Sequence, residues 1–391
     1  MMDISKTLMV GSSQFQISPF ISKYYNEKTP LGIYAGRSYA INWGENPEIA
    51  YGVLRRKSVL FDVPERPVEI AGPDALILLE KVLSRSISNL KKGKARYAIA
   101  CLENGGILMD GIVMCLAEDR YWYVKADGEF DTWLKAHSIG LDVEIKDPQS
   151  WVLQIQGPTS LAVMNAVTNG AINEAFGYFN VGWFEIGGQK LLISRTGWTG
   201  ELGYEVYTQG EQTDACQLWD VILDAGKPFG LIASSLDTMN IRRIEAGICN
   251  NKTDIDETMT PFQAGLGAFV DFGKQEFIGR NALMDANRDC LLFGFKILDL
   301  QSVSNLDSDL IGLRVCLDEK PVGWVTVNAY SPYLKAIIGY VRFYEGSDWV
   351  GKKVKIVKEG FEIYDAQVSK LPLYDSEKRI PRGLDQELPE F

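Results

Sequence analysis

Two acidic residues stand where side-chain chemistry is worth asking about. Glu205 lies in Leu191-Leu192-Ile193-Ser194-Arg195-Thr196-Gly197-Trp198-Thr199-Gly200-Glu201-Leu202-Gly203-Tyr204-Glu205-Val206-Tyr207, which leaves an apolar strand, passes a glycine-dense turn and returns as an alternating strand. Gly197, Gly200 and Gly203 permit positive φ and would let a ligand lie against bare backbone, beside the flat faces of Trp198 and Tyr204. Alternation sends Glu205 to one face of its strand and Tyr204 and Val206 to the other. The same pattern also suits a plain chain reversal. Asp110 ends Gly105-Gly106-Ile107-Leu108-Met109-Asp110, where an acid can simply cap a turn. Arg243 opens Arg243-Ile244-Glu245-Ala246-Gly247; its ordinary role would be a helix ion pair, with Glu245 too near in sequence to face it.

The elements that must hold these residues follow from the rest of the chain. At 391 residues it exceeds one ordinary domain, and 46% apolar with 23% charged residues is the composition of a soluble globular protein. Forty basic against 51 acidic residues give a net charge of −11, spread along the chain, which argues against a nucleic-acid or anionic-membrane surface. The six cysteines lie far apart with no C-x-x-C pair, and His137 is the only histidine. That removes the usual zinc spacings and predicts no metal. It also removes a histidine-based triad, since the sequence around His137 reads as a helix end where the ring serves carbonyls. With no basic start before an apolar run and no 18-residue apolar stretch, the expected setting is reducing and cytoplasmic.

Helices are predicted over Glu48–Ser58, Leu76–Leu83, Asp127–Ser138, Leu161–Val167, Gln212–Leu223 and Ser234–Glu245. Strands are predicted over Ala95–Leu102, Ile107–Leu116 and Arg120–Val124, and Phe61 opens a strand-like run broken by Pro64 and Pro67. A strand, Gly-Pro, helix unit occurs at Gly72-Pro73 and again at Gly157-Pro158, 85 positions later, which points to two related halves. From Cys290 onward short alternating strands separated by turns predict a small β unit. The fold class is therefore α+β with largely antiparallel sheets.

Taken together, these segments resemble the aminomethyltransferase family, which includes the tetrahydrofolate-binding T-protein of glycine cleavage and folate-dependent demethylases. The resemblance covers nearly the whole chain. It implies two interleaved antiparallel-sheet units over residues 1–285, forming the folate-binding catalytic region, and a C-terminal β-barrel over 286–391. It implies that Glu205 holds the pterin, whose adjacent amino group and ring N–H suit one ionised carboxylate. Tyr97 and Trp198 would flank the ring system, at the family's spacings from Asp110 and Glu205. Arg243 would neutralise the folate glutamate tail or orient Glu205, and Asp110, the second position of a usual Asp pair, would orient the donor against N5.

Departures bear on the donor. The T-protein's F-D-V-S-H-M is here Phe61-Asp62-Val63-Pro64-Glu65-Arg66, its L-Y-G is Cys249-Asn250-Asn251, and its T-P-x-E is Thr260-Pro261-Phe262-Gln263. Several segments instead resemble the demethylase branch, including the branch acting on dimethylsulfoniopropionate: "ISPF", "VPERPVEI", "GWTGELGYEVY" and Tyr330-Ser331-Pro332-Tyr333. The expected reaction is methyl transfer from a small sulfonium, methylamine or methoxyaromatic donor to tetrahydrofolate, with Tyr204 and Trp183 among the aromatics that would meet a cationic donor. A methoxyaromatic donor would need a Tyr or a protonated carboxyl as acid. The alternatives are aminomethyl transfer with a lipoyl carrier protein, and folate binding without catalysis; the latter branch's K-G-C-Y motif is absent.

Overall fold

In the computed structural model, described over residues 15–300, 309–358 and 362–385, the chain opens with a short hairpin, β1 (Leu31–Tyr34) and β2 (Arg37–Ala40). Helix α1 (Pro47–Arg56) begins at Asn46, whose side chain accepts from the Glu48 and Ile49 N–H groups at 2.9 and 3.3 Å, with proline at its preferred first position. It packs against β3 (Ser58–Val63), and two residues later β4 (Arg66–Ala71) begins in a different sheet. The run read from Phe61 as one irregular strand is thus two. Pro64 and Pro67, lacking N–H donors, bracket the crossing.

The two related halves are visible in the topology. After β4 come α2 (Ala75–Val82), a meander of β5 (Lys94–Cys101), β6 (Ile107–Ala117) and β7 (Arg120–Lys125), then α3 (Phe130–His137) and β8 (Glu144–Lys146). The same series follows: β9 (Val152–Gln156), α4 (Ser160–Val167), the meander β10 (Val181–Ile186), β11 (Gln189–Ser194) and β12 (Gly203–Tyr207), then α5 (Ala215–Gly226) and β13 (Leu231–Ala233). The sheet orders match, β5-β6-β7-β4-β8 against β10-β11-β12-β9-β3-β13, except that β3, from ahead of the first unit, is inserted into the second. This exchange interleaves the halves. β13 pairs parallel with β3, and the other ladders described are antiparallel.

Gly72 and Gly157 explain why the strand-to-helix turns need glycine. Their φ values are +135° and +124°, and an added Cβ would lie 2.5 Å from the Asp142 carbonyl and 2.3 Å from the Lys57 carbonyl. The α3 region was expected to begin at Asp127 but starts at Phe130, because Gly128 at φ +122° breaks helical geometry.

Helix α6 (Leu236–Glu245) and short α7 (Arg280–Asp285) lead to a closed barrel of β14 (Leu292–Ile297), β15 (Arg314–Leu317), β16 (Lys320–Ser331), β17 (Ala336–Phe343), β18 (Lys353–Lys358) and β19 (Glu362–Ser369). Each sheet and the barrel has its own apolar core. A buried ionic network joins them: Glu201 takes Arg55 Nε at 2.7 Å and Arg242 Nε at 2.6 Å, while Glu245 accepts from Tyr51 Oη at 2.6 Å and Ser331 Oγ at 2.5 Å. It ties α1, α6, the glycine-rich hairpin and barrel strand β16 to one another. Such pairing is what permits charged side chains to be buried at all.

Candidate active site

A cavity of about 1250 Å³ opens where the two sheets, α6, the barrel and the C-terminal segment meet. That exceeds the usual volume for one small ligand, so two reactants can occupy it together. Asp110, Glu205, Tyr97, Trp198 and Arg243 all line it.

Glu205 projects from β12 opposite Ser194 on β11 and Gln154 on β9. Its Oε2 accepts from Ser194 Oγ at 3.1 Å, Thr196 Oγ1 at 2.5 Å and Tyr207 Oη at 2.6 Å; Oε1 accepts from Gln154 Nε2 at 2.9 Å. Burial pushes its carboxyl up and these donors oppose the shift by favouring the anion. Oε2 is filled, whereas Oε1 keeps one direction for a ligand N–H.

Asp110, on β6 beside Ile99 of β5, accepts from Tyr97 Oη at 2.9 Å and Asn251 Nδ2 at 3.1 Å. Burial raises its pKa and both donors pull it back. The Tyr97 hydroxyl is thus spent on Asp110, and its ring packs edge-on against Phe269 with centroids 4.7 Å apart. Asn251 went unnoticed in the sequence, although it lies within the Cys249-Asn250-Asn251 departure; nothing in its local pattern marks it, because it meets Asp110 from 141 positions away.

Arg243 lies under the cavity as an anchor. Its Nη1 pairs with Asp254 and donates to the Ile248 carbonyl at 3.1 Å, its Nε donates to Asn240, and its guanidinium sits 5.1 Å from the Trp198 ring centroid. Asp254 also accepts from Thr326 Oγ1 of β16 at 2.9 Å. The charge expected for a folate tail is therefore compensated inside the protein, and the expected ion pair is with Asp254 rather than a helix neighbour. Other cations reach the cavity wall: Arg85, Arg96, Lys370 and Lys378. Lys378 donates to the Ala246 carbonyl at 2.6 Å, and burial lowers its pKa to about 8.

Two expected donor-binding aromatics lie elsewhere. Tyr204 is fully buried in the core of the second sheet, on the face opposite Glu205, as strand alternation requires. Trp183 sits on edge strand β10, outside the cavity lining. The hairpin glycines line the cavity and each also has a packing cause: a Cβ on Gly197 or Gly203 would lie 2.1 or 2.3 Å from the Gln156 side chain, and one on Gly200 would lie 2.5 Å from Ala246 Cβ. His137 ends α3 against Trp133, with centroids 4.3 Å apart, away from the cavity. Among the described residues no acidic, histidine and cysteine cluster could hold a metal ion, and no helix is long and apolar enough to cross a membrane.

The architecture, an α+β body followed by a barrel, is shared with known relatives. Residues 24–274 match the GCVT N-terminal domain and 299–375 the glycine cleavage T-protein C-terminal barrel domain. An aminomethyltransferase of Halothermothrix orenii is 32% identical over 329 residues, covering 82% of this chain and 89% of the relative. One from Bacillus subtilis is 30% identical over 331 residues, with the same coverages of 82% and 89%. The crystal structure of the glycine cleavage system aminomethyltransferase T from Bartonella henselae superposes with a TM-score of 0.78 at 23% identity, covering 92% of this chain and 98% of that one. The chain belongs to the glycine cleavage T-protein (aminomethyltransferase) family of tetrahydrofolate-dependent one-carbon transferases.

Proposed function

We propose that this protein moves a one-carbon unit from a small donor onto N5 of tetrahydrofolate bound between Glu205 and Asp110. The observation that carries this reading is two buried carboxyls, held by separate hydrogen-bond sets, in one cavity roomy enough for acceptor and donor. Glu205 Oε1 takes an N–H of the pterin, Trp198 covers its ring, and Lys378 with Arg85 meets the anionic tail. Asp110, fixed by Tyr97 and Asn251, faces the donor. Tetrahydrofolate supplies the nitrogen lone pair that receives the carbon; the protein aligns the reactants and keeps water out.

Aminomethyl transfer from a lipoyl carrier protein is the form that the relatives' names support more directly. Methyl transfer from a small methylated donor is the second form. It is favoured by the departures at Glu65 and Asn251 from the segments that the resemblance to the T-protein implies, Asn251 being bonded to Asp110. Placement in the cytoplasm, and division into a 1–285 catalytic region and a 286–391 barrel domain, belong to the same proposal. Purified protein with tetrahydrofolate separates the forms. Carrier-dependent ammonia and methylenetetrahydrofolate would establish aminomethyl transfer, and methyltetrahydrofolate with a sulfonium, methylamine or methoxyaromatic would establish methyl transfer. Binding of tetrahydrofolate without either product would overturn both.

A further inference from the structure

Glu65 is a cavity acid that the site described above leaves without a role. It sits at the crossing between β3 and β4, where the chain passes from one sheet to the other. Its position is rigid: Pro64 precedes it, and Arg37 Nη1 donates to its carbonyl at 2.6 Å and to the Ser150 carbonyl at 2.6 Å. Its side chain lines the cavity, and its Oε2 is shielded from solvent with no hydrogen-bond partner. An oxygen of this kind normally has a partner, so its absence within a ligand cavity asks for one from the ligand.

Its neighbours specify which kind. Glu205 lies close enough for the two carboxyls to oppose each other's ionisation, and the Gln154 side chain that donates to Glu205 Oε1 also hydrogen-bonds the Glu65 carboxyl, leaving its Oε2 as the unpartnered oxygen. On the other side Tyr34, from the β1–β2 hairpin, feels both Glu65 and Asp110. Glu65 therefore shares one cavity with the acid assigned to the pterin and the acid assigned to the donor. Burial and the Glu205 charge push its carboxyl well above the usual range, and a bound positive charge would relieve that penalty. Tyr34 and Tyr97 line the same cavity, and aromatic rings of that kind suit a soft cation.

We propose that Glu65 binds the positive charge of the one-carbon donor, whether that charge is the sulfonium or quaternary ammonium of a methylated donor or the ammonium of an aminomethyl thioether. The inference rests on the one-carbon-transfer reading and on a cationic donor, methylated or aminomethyl; a neutral methoxyaromatic donor lies outside it. Both sources share one chemistry, a compact cation on or next to the transferred carbon.

The test is calorimetric binding, without turnover, of trimethylsulfonium, protonated aminoethyl methyl sulfide and neutral dimethyl sulfide to the full-length protein saturated with a stable reduced folate. In Glu65→Gln, at least one cation should lose affinity on the order of ten- to a hundred-fold, the range for a hydrogen bond or contact to a charged group. Dimethyl sulfide and the folate should bind as before, and circular dichroism should be unchanged. Loss for the sulfonium alone assigns a methylated donor; loss for the ammonium alone assigns an aminomethyl donor. Glu65→Asp, keeping the charge, should restore part of the lost affinity. Unchanged affinity for both cations, failure of the wild type to bind either, or an equal loss of folate affinity would overturn the inference. Folate binding and product formation by the wild type report separately on the proposed function.

Discussion

Replacing Glu205 by glutamine leaves the volume of the site intact and removes only its charge and half of its acceptor capacity. In the native arrangement Oε2 serves three hydroxyls and Oε1 serves Gln154, leaving a single acceptor direction for a ligand. One hydrogen bond to a charged group contributes about 1.5–3 kcal/mol. The dissociation constant for a reduced folate should therefore rise roughly ten- to 150-fold in Glu205→Gln. The folded state meets two opposing changes. A glutamine amide places an N–H against either Gln154 or the hydroxyl cluster, costing about 1–3 kcal/mol if one donor goes unpaired. Loss of the repulsion with Glu65 offsets part of that cost. Melting temperature should therefore move by only a few degrees while affinity falls by at least an order of magnitude. Fluorescence titration with methyltetrahydrofolate, beside a thermal melt, reads both. Wild-type affinity in a folded Glu205→Gln protein would refute the pterin assignment.

Two further substitutions probe the frame and the tail site. Glu201→Gln leaves two fully buried guanidiniums, Arg55 and Arg242, with Glu245 at 3.9 and 3.6 Å as the remaining counter-charge of the network, so a loss of about 3–5 kcal/mol is expected in denaturant unfolding. A loss below about 1 kcal/mol would show that the network does not bear the hairpin. Lys378, with its pKa lowered to about 8, is charged below that pH and neutral above it. Affinity for a folate carrying its glutamate tail should therefore fall as pH rises from 7 to 9, and Lys378→Met should bind more weakly at pH 7 with a flatter profile. A profile identical to wild type would remove Lys378 from the tail site.

The residues that could be read from the chain are those whose signal is local. Asp110 and Glu205 each end a glycine-marked motif, strand alternation fixes which way Glu205 faces, and the paired Gly-Pro turns reveal the duplication because both turns need positive φ. What escaped reading depends on distant partners. Gly197 and Gly203 look alike whether backbone must admit a ligand or Gln156, and only the fold shows that Gln156 is there. Arg243 was legible as a cation for a helix ion pair or a folate tail but not as the partner of Asp254, which also accepts from Thr326 on the barrel. Tyr204 illustrates the reverse: the alternation that aims Glu205 into the cavity already turns Tyr204 into the core. Glu65 was visible as the loss of a histidine, yet its role as an acid depends on Gln154 and Glu205, which the second sheet brings to it.

One-carbon transfer at this site is tested most directly by mass spectrometry of the folate pool after incubating the protein with tetrahydrofolate and the candidate donors, run in parallel on wild type and Asp110→Asn. Wild type should convert tetrahydrofolate to a one-carbon derivative with at least one donor. Asp110→Asn should bind folate within about three-fold of wild type yet turn over at least a hundred-fold more slowly, because the proposed function sets the carboxyl held by Tyr97 and Asn251 against the donor rather than the pterin. Equal turnover by the two proteins, or no modified folate from wild type with any donor, would contradict it.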